Sequence, residues 1–181
     1  GSVPGATGAR TGAACARRFH RDGYAVALLD VSLEAGEGLA HDLDPTGHTA
    51  RFYPCDVSEE QAVDRCVQTS RAELGEPDIL ITSAALIPNT ESILDMDMAA
   101  HDHMWVVNYH GTVYACGAVG RIMAQRQRGA IVTMGSINSI GPLPWPAYNP
   151  GKAALQRLTQ LLAVEMGRHH VRVNSVAPTY V

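Results

Sequence analysis

The sequence predicts an α/β fold: a doubly wound parallel sheet with helices on both faces, three layers deep (α/β/α). Three observations predict it. Short apolar runs of strand length alternate with helix-spaced segments along the whole chain. Those runs are continuously apolar rather than alternating, the pattern of strands covered on both faces. And 181 residues, with 46% hydrophobic and 18% charged side chains, suit one domain around one core.

Each element follows from local pattern. A helical stretch over about 12–22 precedes the buried strand YAVALLD at 24–30. Residues 33–43 read as a helix and TARFYPC at 49–55 as a second short strand. Ser58, with Glu59, Glu60 and Gln61 behind it, gives a capping-box pattern opening a helix that runs to Leu74. The run DILIT at 78–82 is a strand. Residues 98–126 form one long helix, stopped by the polar turn Gln127-Arg128-Gly129. A strand at 130–135, a helix at 147–167 and a strand at 171–176 complete the alternation. No repeat, low-complexity tract or linker divides the chain, so 1–181 reads as a single domain.

Composition narrows the function. A net charge of −4 gives no electrostatic case for nucleic acid or an anionic membrane. Cys15, Cys55, Cys66 and Cys116 stand far apart with no C-x-x-C pair, which argues against a zinc ribbon or disulfide framework and fits a reducing cytoplasm. No leader-like start or membrane-length apolar run is present, so a soluble cytoplasmic domain is the expectation. His101 and His103, at i and i+2, face different sides of a helix; no metal site is assigned. Among the basic side chains Lys152 is the one lysine; the rest are arginine.

In doubly wound sheets ligands bind at the carboxyl ends of the strands. The segments there are 4–12, 30–32, 55–57, 82–92, 135–147 and 177–181. The chemistry concentrates in Tyr148-Asn149-Pro150-Gly151-Lys152, with Ser136 twelve residues before the tyrosine. One helical turn separates Tyr148 from Lys152, so they share a face. A phenol titrating near 10 is a poor acid–base catalyst at neutral pH, and a cation about 4–6 Å away stabilises the phenolate. Ser136, at a strand end, is placed to hydrogen-bond a substrate oxygen and align it with the phenol.

The runs GSINS (135–139), VNYHG (107–111), RVNSVAP (172–178) and Y-x-x-x-K (148–152) stand in the order and spacing of one family. From about residue 3 to its end the sequence resembles the classical short-chain dehydrogenase/reductase (SDR) family. The resemblance implies a Rossmann-type dinucleotide-binding and catalytic domain, here without its C-terminal lid and last strand. It implies a catalytic set of Asn108, Ser136, Tyr148 and Lys152. Tyr148 would give or take the substrate oxygen's proton, and Lys152 would hold the cofactor ribose. Asn108 would hold a water against Lys152.

The cofactor side is mixed. Asp30 ends its strand 18 residues after Gly12, near the spacing of about 20 for an acid that binds the adenosine ribose. Val31 and Ser32 follow with no adjacent arginine. This favours NAD over NADP. Asp56-Val57 matches the family's adenine step. The glycine turn departs from T-G-x-x-x-G-x-G: anchoring on Gly12 puts Arg10 where the middle glycine belongs, and Gly5 falls one residue out of register. Gly5, Arg10, Thr11 and Gly12 remain the pyrophosphate candidates, through backbone N–H groups at a helix start. Ser83 and Ala84 replace part of the family's N-N-A-G, and Pro178, Thr179 and Val181 lie where the nicotinamide is expected.

The expected activity is interconversion of a secondary alcohol and a ketone, with a polyol or sugar acid suggested by the A-P-T-Y-V ending. Ser136, Asn138, Trp145 and Tyr148 are the substrate candidates, with walls at 137–147 and 86–92. The resemblance also implies a homodimer or homotetramer through the helices carrying Asn108 and Tyr148. Two rivals stand beside this reading: a dinucleotide-binding protein without turnover, and an epimerase or dehydratase using the same Y-x-x-x-K.

Overall fold

The computed structural model describes residues 7–87, 92–141 and 144–179, with side chains from residue 11 onward. In chain order the elements are α1 (Thr7–Arg21), β1 (Val26–Asp30), α2 (Leu33–Leu43), β2 (Ala50–Pro54), α3 (Glu60–Leu74) and β3 (Ile79–Thr82). Then follow α4 (Met98–Trp105), a π-turn (Val106–His110), α5 (Gly111–Arg126) and β4 (Gly129–Met134). A 3-10 turn (Ile137–Ser139), α6 (Tyr148–Gly167) and β5 (Val171–Val176) close the described chain.

All strands are parallel. β1 pairs with β2, and β3, β4 and β5 pair in that order. The chain runs outward from β1 to β2, returns to β3, then moves outward the other way. Because parallel crossovers are right-handed, that reversal puts α2 on one face and α3, α5 and α6 on the other. The packing agrees: α1 touches α2, while α3 packs on α5 and α5 on α6. The fold is the doubly wound, Rossmann-like α/β arrangement expected from the sequence.

Among the described residues the strands form two ladders rather than one continuous sheet. A cleft of about 850 Å3 opens between them, lined by Val26, Leu28 and Asp30 of β1 and by Ile79, Ile81 and Thr82 of β3. Its lining follows β1 and β3 along their length and includes none of Ser136, Tyr148 and Lys152, so it is the space between the ladders rather than the site of the chemistry.

The core sits over the β3–β4–β5 side. Met123, Ile131, Val63 and Val171 are all but fully buried and form one cluster with Cys116, Val119 and Ile122. Each such side chain contributes about 1.5–3 kcal/mol through its removal from water. One polar pair is sealed within this side. The Thr159 hydroxyl donates to the Leu155 carbonyl at 2.8 Å, so the Thr133 hydroxyl, 2.8 Å away, donates to Thr159. The pair ties β4 to α6 with no donor left over.

Element ends follow from local chemistry. Asp97 caps α4 by accepting the Ala99 N–H at 2.9 Å. α5 stops at Gln127, whose left-handed backbone (φ 54°) turns its N–H to the Ala124 and Met123 carbonyls. α3 starts at Glu60, not Ser58: the Ser58 N–H is held by Asp56 Oδ1 at 2.9 Å, an Asx turn that outcompetes the capping box. α1 starts at Thr7, so Arg10, Thr11 and Gly12 lie in its first turns rather than in a loop; Ala9 and Arg10 are good helix formers. The long helix expected over 98–126 is broken by the π-turn. No helix of the described residues is long and apolar enough to cross a membrane.

Candidate active site

The carboxyl end of β4 carries the chain into the 3-10 turn, and a loop then delivers it to the start of α6. This brings Ser136, Asn138, Trp145, Tyr148 and Lys152 together. Ser136 is buried, and its Oγ accepts the Asn138 backbone N–H at 3.2 Å. Its hydroxyl acts on the Tyr148 phenol in the sense that favours the phenolate. Trp145 meets the Tyr148 ring edge-on, with centroids 5.9 Å apart and planes at 87°.

Lys152 is 3% exposed, and its Nζ donates to the Met134 carbonyl at 2.8 Å while standing 5.5 Å from the Tyr148 ring centroid. The lone lysine is thus anchored beneath the end of β4, one turn from the phenol. Burial pulls its ammonium down to about 8. Burial also raises the Tyr148 phenol, and the Ser136 hydroxyl offsets this only in part. The lowered phenol expected from the Y-x-x-x-K spacing is therefore corrected. Loss of hydration at the phenolate is the larger cause, and the Ser136 hydroxyl is the group that opposes it.

Asn108 is buried inside the π-turn. Its Oδ1 accepts the Leu86 N–H at 2.7 Å and its Nδ2 donates to the Leu86 carbonyl at 2.9 Å. Both ends of the amide hydrogen-bond the segment after β3, contacts the sequence reading did not foresee. The reason is geometric: the π-turn presents Asn108 to an extended backbone, whose paired N–H and C=O match an amide. Its own carbonyl accepts from Thr112 Oγ1 at 3.1 Å. Asn108 thereby fixes the stretch that carries Ser83 and Ala84.

The other candidates line the carboxyl ends of the strands. Asp30 ends β1 with an exposed carboxylate, whose Oδ1 accepts the Ser32 N–H at 3.0 Å. Asp56 follows β2, and hydrogen bonds from Ser58 hold its carboxyl below the usual carboxylate range. Val57 packs against Gly111, where an added Cβ would come within 2.9 Å of Val57 Cγ2. Gly12 approaches Ser83 just as closely: a Cβ there would stand 2.6 Å from Ser83 Oγ. Pro178 joins the catalytic turn through its carbonyl, which accepts the Ile137 N–H at 3.2 Å, and Thr179 follows it. Gly5 and Val181 lie outside the described residues, as do 88–91 and Leu143 of the expected substrate walls.

Sequence reasoning missed two participants. The Met134 carbonyl, which anchors Lys152, is a backbone group with no sequence signature. Thr82 Oγ1 is buried without a hydrogen-bond partner among the described residues, in a residue that lines the cleft between the ladders. Its position at a strand end was the available signal.

These residues fit a dinucleotide. The close approach of α1 to Ser83 leaves room only for glycine, and Asp30 presents an exposed carboxylate at the strand end. The group would be held by Gly12, Asp30, Asp56 and Ser83 on one side of Lys152 and Tyr148.

Comparison with known proteins agrees with this geometry. A family model described as enoyl-(acyl carrier protein) reductase matches residues 6–181. Galactitol 2-dehydrogenase of Rhizobium johnstonii is 34% identical, over 96% of this chain and 68% of that protein. D-threitol dehydrogenase of Mycolicibacterium smegmatis is 33% identical, over 100% of this chain and 70% of that protein. The crystal structure of an NAD+-bound xylitol dehydrogenase superposes with a TM-score of 0.91 at 31% identity, over 96% of this chain and 67% of that one. The chain spans 61% to 70% of the length of the first curated relatives it matches. Its motifs, its parallel topology and these likenesses converge, and the chain belongs to the short-chain dehydrogenase/reductase family.

Proposed function

We propose that the protein is an NAD(P)-dependent oxidoreductase that interconverts a secondary alcohol and a ketone, with Tyr148 as acid–base. The observation that carries this reading is the buried Lys152, its ammonium fixed to the Met134 carbonyl 5.5 Å from the Tyr148 ring centroid, with Ser136 buried beside the same strand end. A nicotinamide, when bound, supplies hydride chemistry at the carbinol carbon. In the oxidation direction Tyr148 accepts the hydroxyl proton from the substrate oxygen, and in reduction it returns it. Ser136 holds that oxygen and stabilises the phenolate with its own hydrogen bond. Lys152, held in place from below, adds positive charge without diffusing into solvent. Asn108 acts through Leu86, setting the wall on which the nicotinamide side is built.

Asp30 supports NAD over NADP, since a carboxylate at this strand end accepts from ribose hydroxyls and repels a 2′-phosphate. The polyol dehydrogenases among the relatives support a hydroxylated substrate. The exposed Leu161 and Val164 on α6 support self-association through that helix, and the free cysteines among the described residues support a reducing compartment.

The decisive experiment is reduced-cofactor production from a panel of secondary alcohols and polyols, with NAD and with NADP, for the unsubstituted protein and for Tyr148→Phe. Turnover is expected to fall by about 1,000-fold or more in the variant, with cofactor affinity kept within about threefold. Unchanged turnover in Tyr148→Phe would sink the mechanism. Cofactor retained but never consumed would point to an epimerase or dehydratase.

A further inference from the structure

We propose that Asn138 is a specificity-determining residue that hydrogen-bonds a second substrate oxygen, on the carbon beside the reacting one, so that the site selects vicinal diols and the matching α-hydroxyketones. This rests on the oxidoreductase reading above.

Asn138 is 5% exposed, and its backbone N–H is engaged by Ser136 Oγ. Its side-chain amide has no hydrogen-bond partner among the described residues. Buried amides are nearly always hydrogen-bonded, so an unmatched one two residues from Ser136 calls for a partner. It differs from the sealed orphans of this fold. Thr82 Oγ1 and Trp105 Nε1 are closed off from solvent, whereas neither polar atom of the Asn138 amide is. A ligand can therefore reach it.

Position and chemistry then choose the ligand. Asn138 lies in the 3-10 turn that begins at Ser136 and packs against α6, the helix that opens with Tyr148. A substrate oxygen held between Ser136 and Tyr148 brings its neighbouring carbon to this turn. An amide both donates and accepts, so it pairs with a hydroxyl in two senses and with a carbonyl in one. It is uncharged, which suits a neutral polyol rather than a carboxylate or phosphate. A site built to hydrogen-bond a hydroxyl rejects the analogue without one far more strongly than an apolar pocket rejects an extra methylene.

The test compares butane-2,3-diol with butan-2-ol, which differ by that one oxygen, in the full protein with its preferred cofactor. The unsubstituted protein is expected to favour the diol in kcat/KM by at least about 20-fold. Asn138→Ala should reduce the diol-to-butan-2-ol ratio of kcat/KM to about threefold or less. Asn138→Leu, uncharged and of similar size, fills the space if alanine unfolds the turn, and should likewise bring the diol-to-butan-2-ol ratio to about threefold or less. Equal losses on both alcohols, or no loss on the diol, overturn the assignment. Turnover without diol preference in the unsubstituted protein overturns it and leaves the oxidoreductase reading standing. No turnover of any alcohol overturns both.

Discussion

The β1–β2 ladder and the β3–β4–β5 ladder share one parallel architecture and are held together in different ways. On the first, α2 buries a single residue, Gly36, and side chains meet in exposed ion pairs such as Arg17–Asp42 at 3.1 Å. On the second, α5 buries Cys116, Val119, Ile122 and Met123, and the hydroxyls of Thr133 and Thr159 are interior and paired. Oil and sealed hydrogen bonds hold the side that carries Ser136, Tyr148 and Lys152. Solvated charges cover the side that carries Asp30. Acid–base chemistry needs its groups held to fractions of an ångström, whereas binding an adenosine needs only a shaped edge with a carboxylate. The unequal cores follow that division of labour.

The comparison can be broken most forcefully in the core. Met123→Ala removes a fully buried side chain and is expected to cost about 2–5 kcal/mol, read as a drop in denaturant midpoint at constant slope. A loss near zero would mean that the second ladder is no more tightly held than the first.

Lys152 sharpens the same point through pH. Its folded-state value of about 8 lies below the ordinary 10.5, so between those values the unfolded chain binds more protons and stability rises with pH. The cost of burying the ammonium is present in full below about 8 and relieved by about 10.5. The full swing corresponds to about 3 kcal/mol. The rise is read as the difference between the unsubstituted protein and Lys152→Met in denaturation curves from pH 7 to pH 10, because the raised thiols of Cys55 and Cys116 act in the opposite sense above 9 in both. The raised Tyr148 works in the opposite sense only above its ordinary value of 10, where the folded chain keeps a proton the unfolded one loses.

Arg17→Ala probes the other ladder and should have the smallest effect. Its partner Asp42 is about as exposed as it is, so a change below about 0.5 kcal/mol is expected in the same denaturation assay. A loss comparable to that of Met123→Ala would erase the distinction between the two sides.

What was legible in the sequence divides along similar lines. The bounds of α2 and β5 and the grouping of Ser136, Tyr148 and Lys152 were readable because side-chain pattern and spacing carry them. Asn108 was named from its motif, but its bonds to Leu86 were not, since they depend on a π-turn that one residue of extra spacing creates. The Met134 carbonyl was invisible for a plainer reason: every residue has one. The start of α3 was misplaced because Asp56 competes for the Ser58 N–H, a contest between two local motifs that spacing alone does not decide. The direction of the Tyr148 shift depends on burial, which emerges only from the packing of β4 against α6.

The π-turn has a consequence for how this stretch tolerates change. An α-helix advances about 100° per residue, so the extra residue of a π-turn resets the angular phase between α4 and α5. Trp105, at the end of α4, forms a tilted ring pair with Tyr109 within the turn, and α4 touches α6; downstream, Gly111 closes on Val57. Deleting one residue from Val106–His110 would leave nearly every side-chain type in place while rotating one set of contacts away from its partners. Between Met98 and Gly111, chain length is itself a structural determinant.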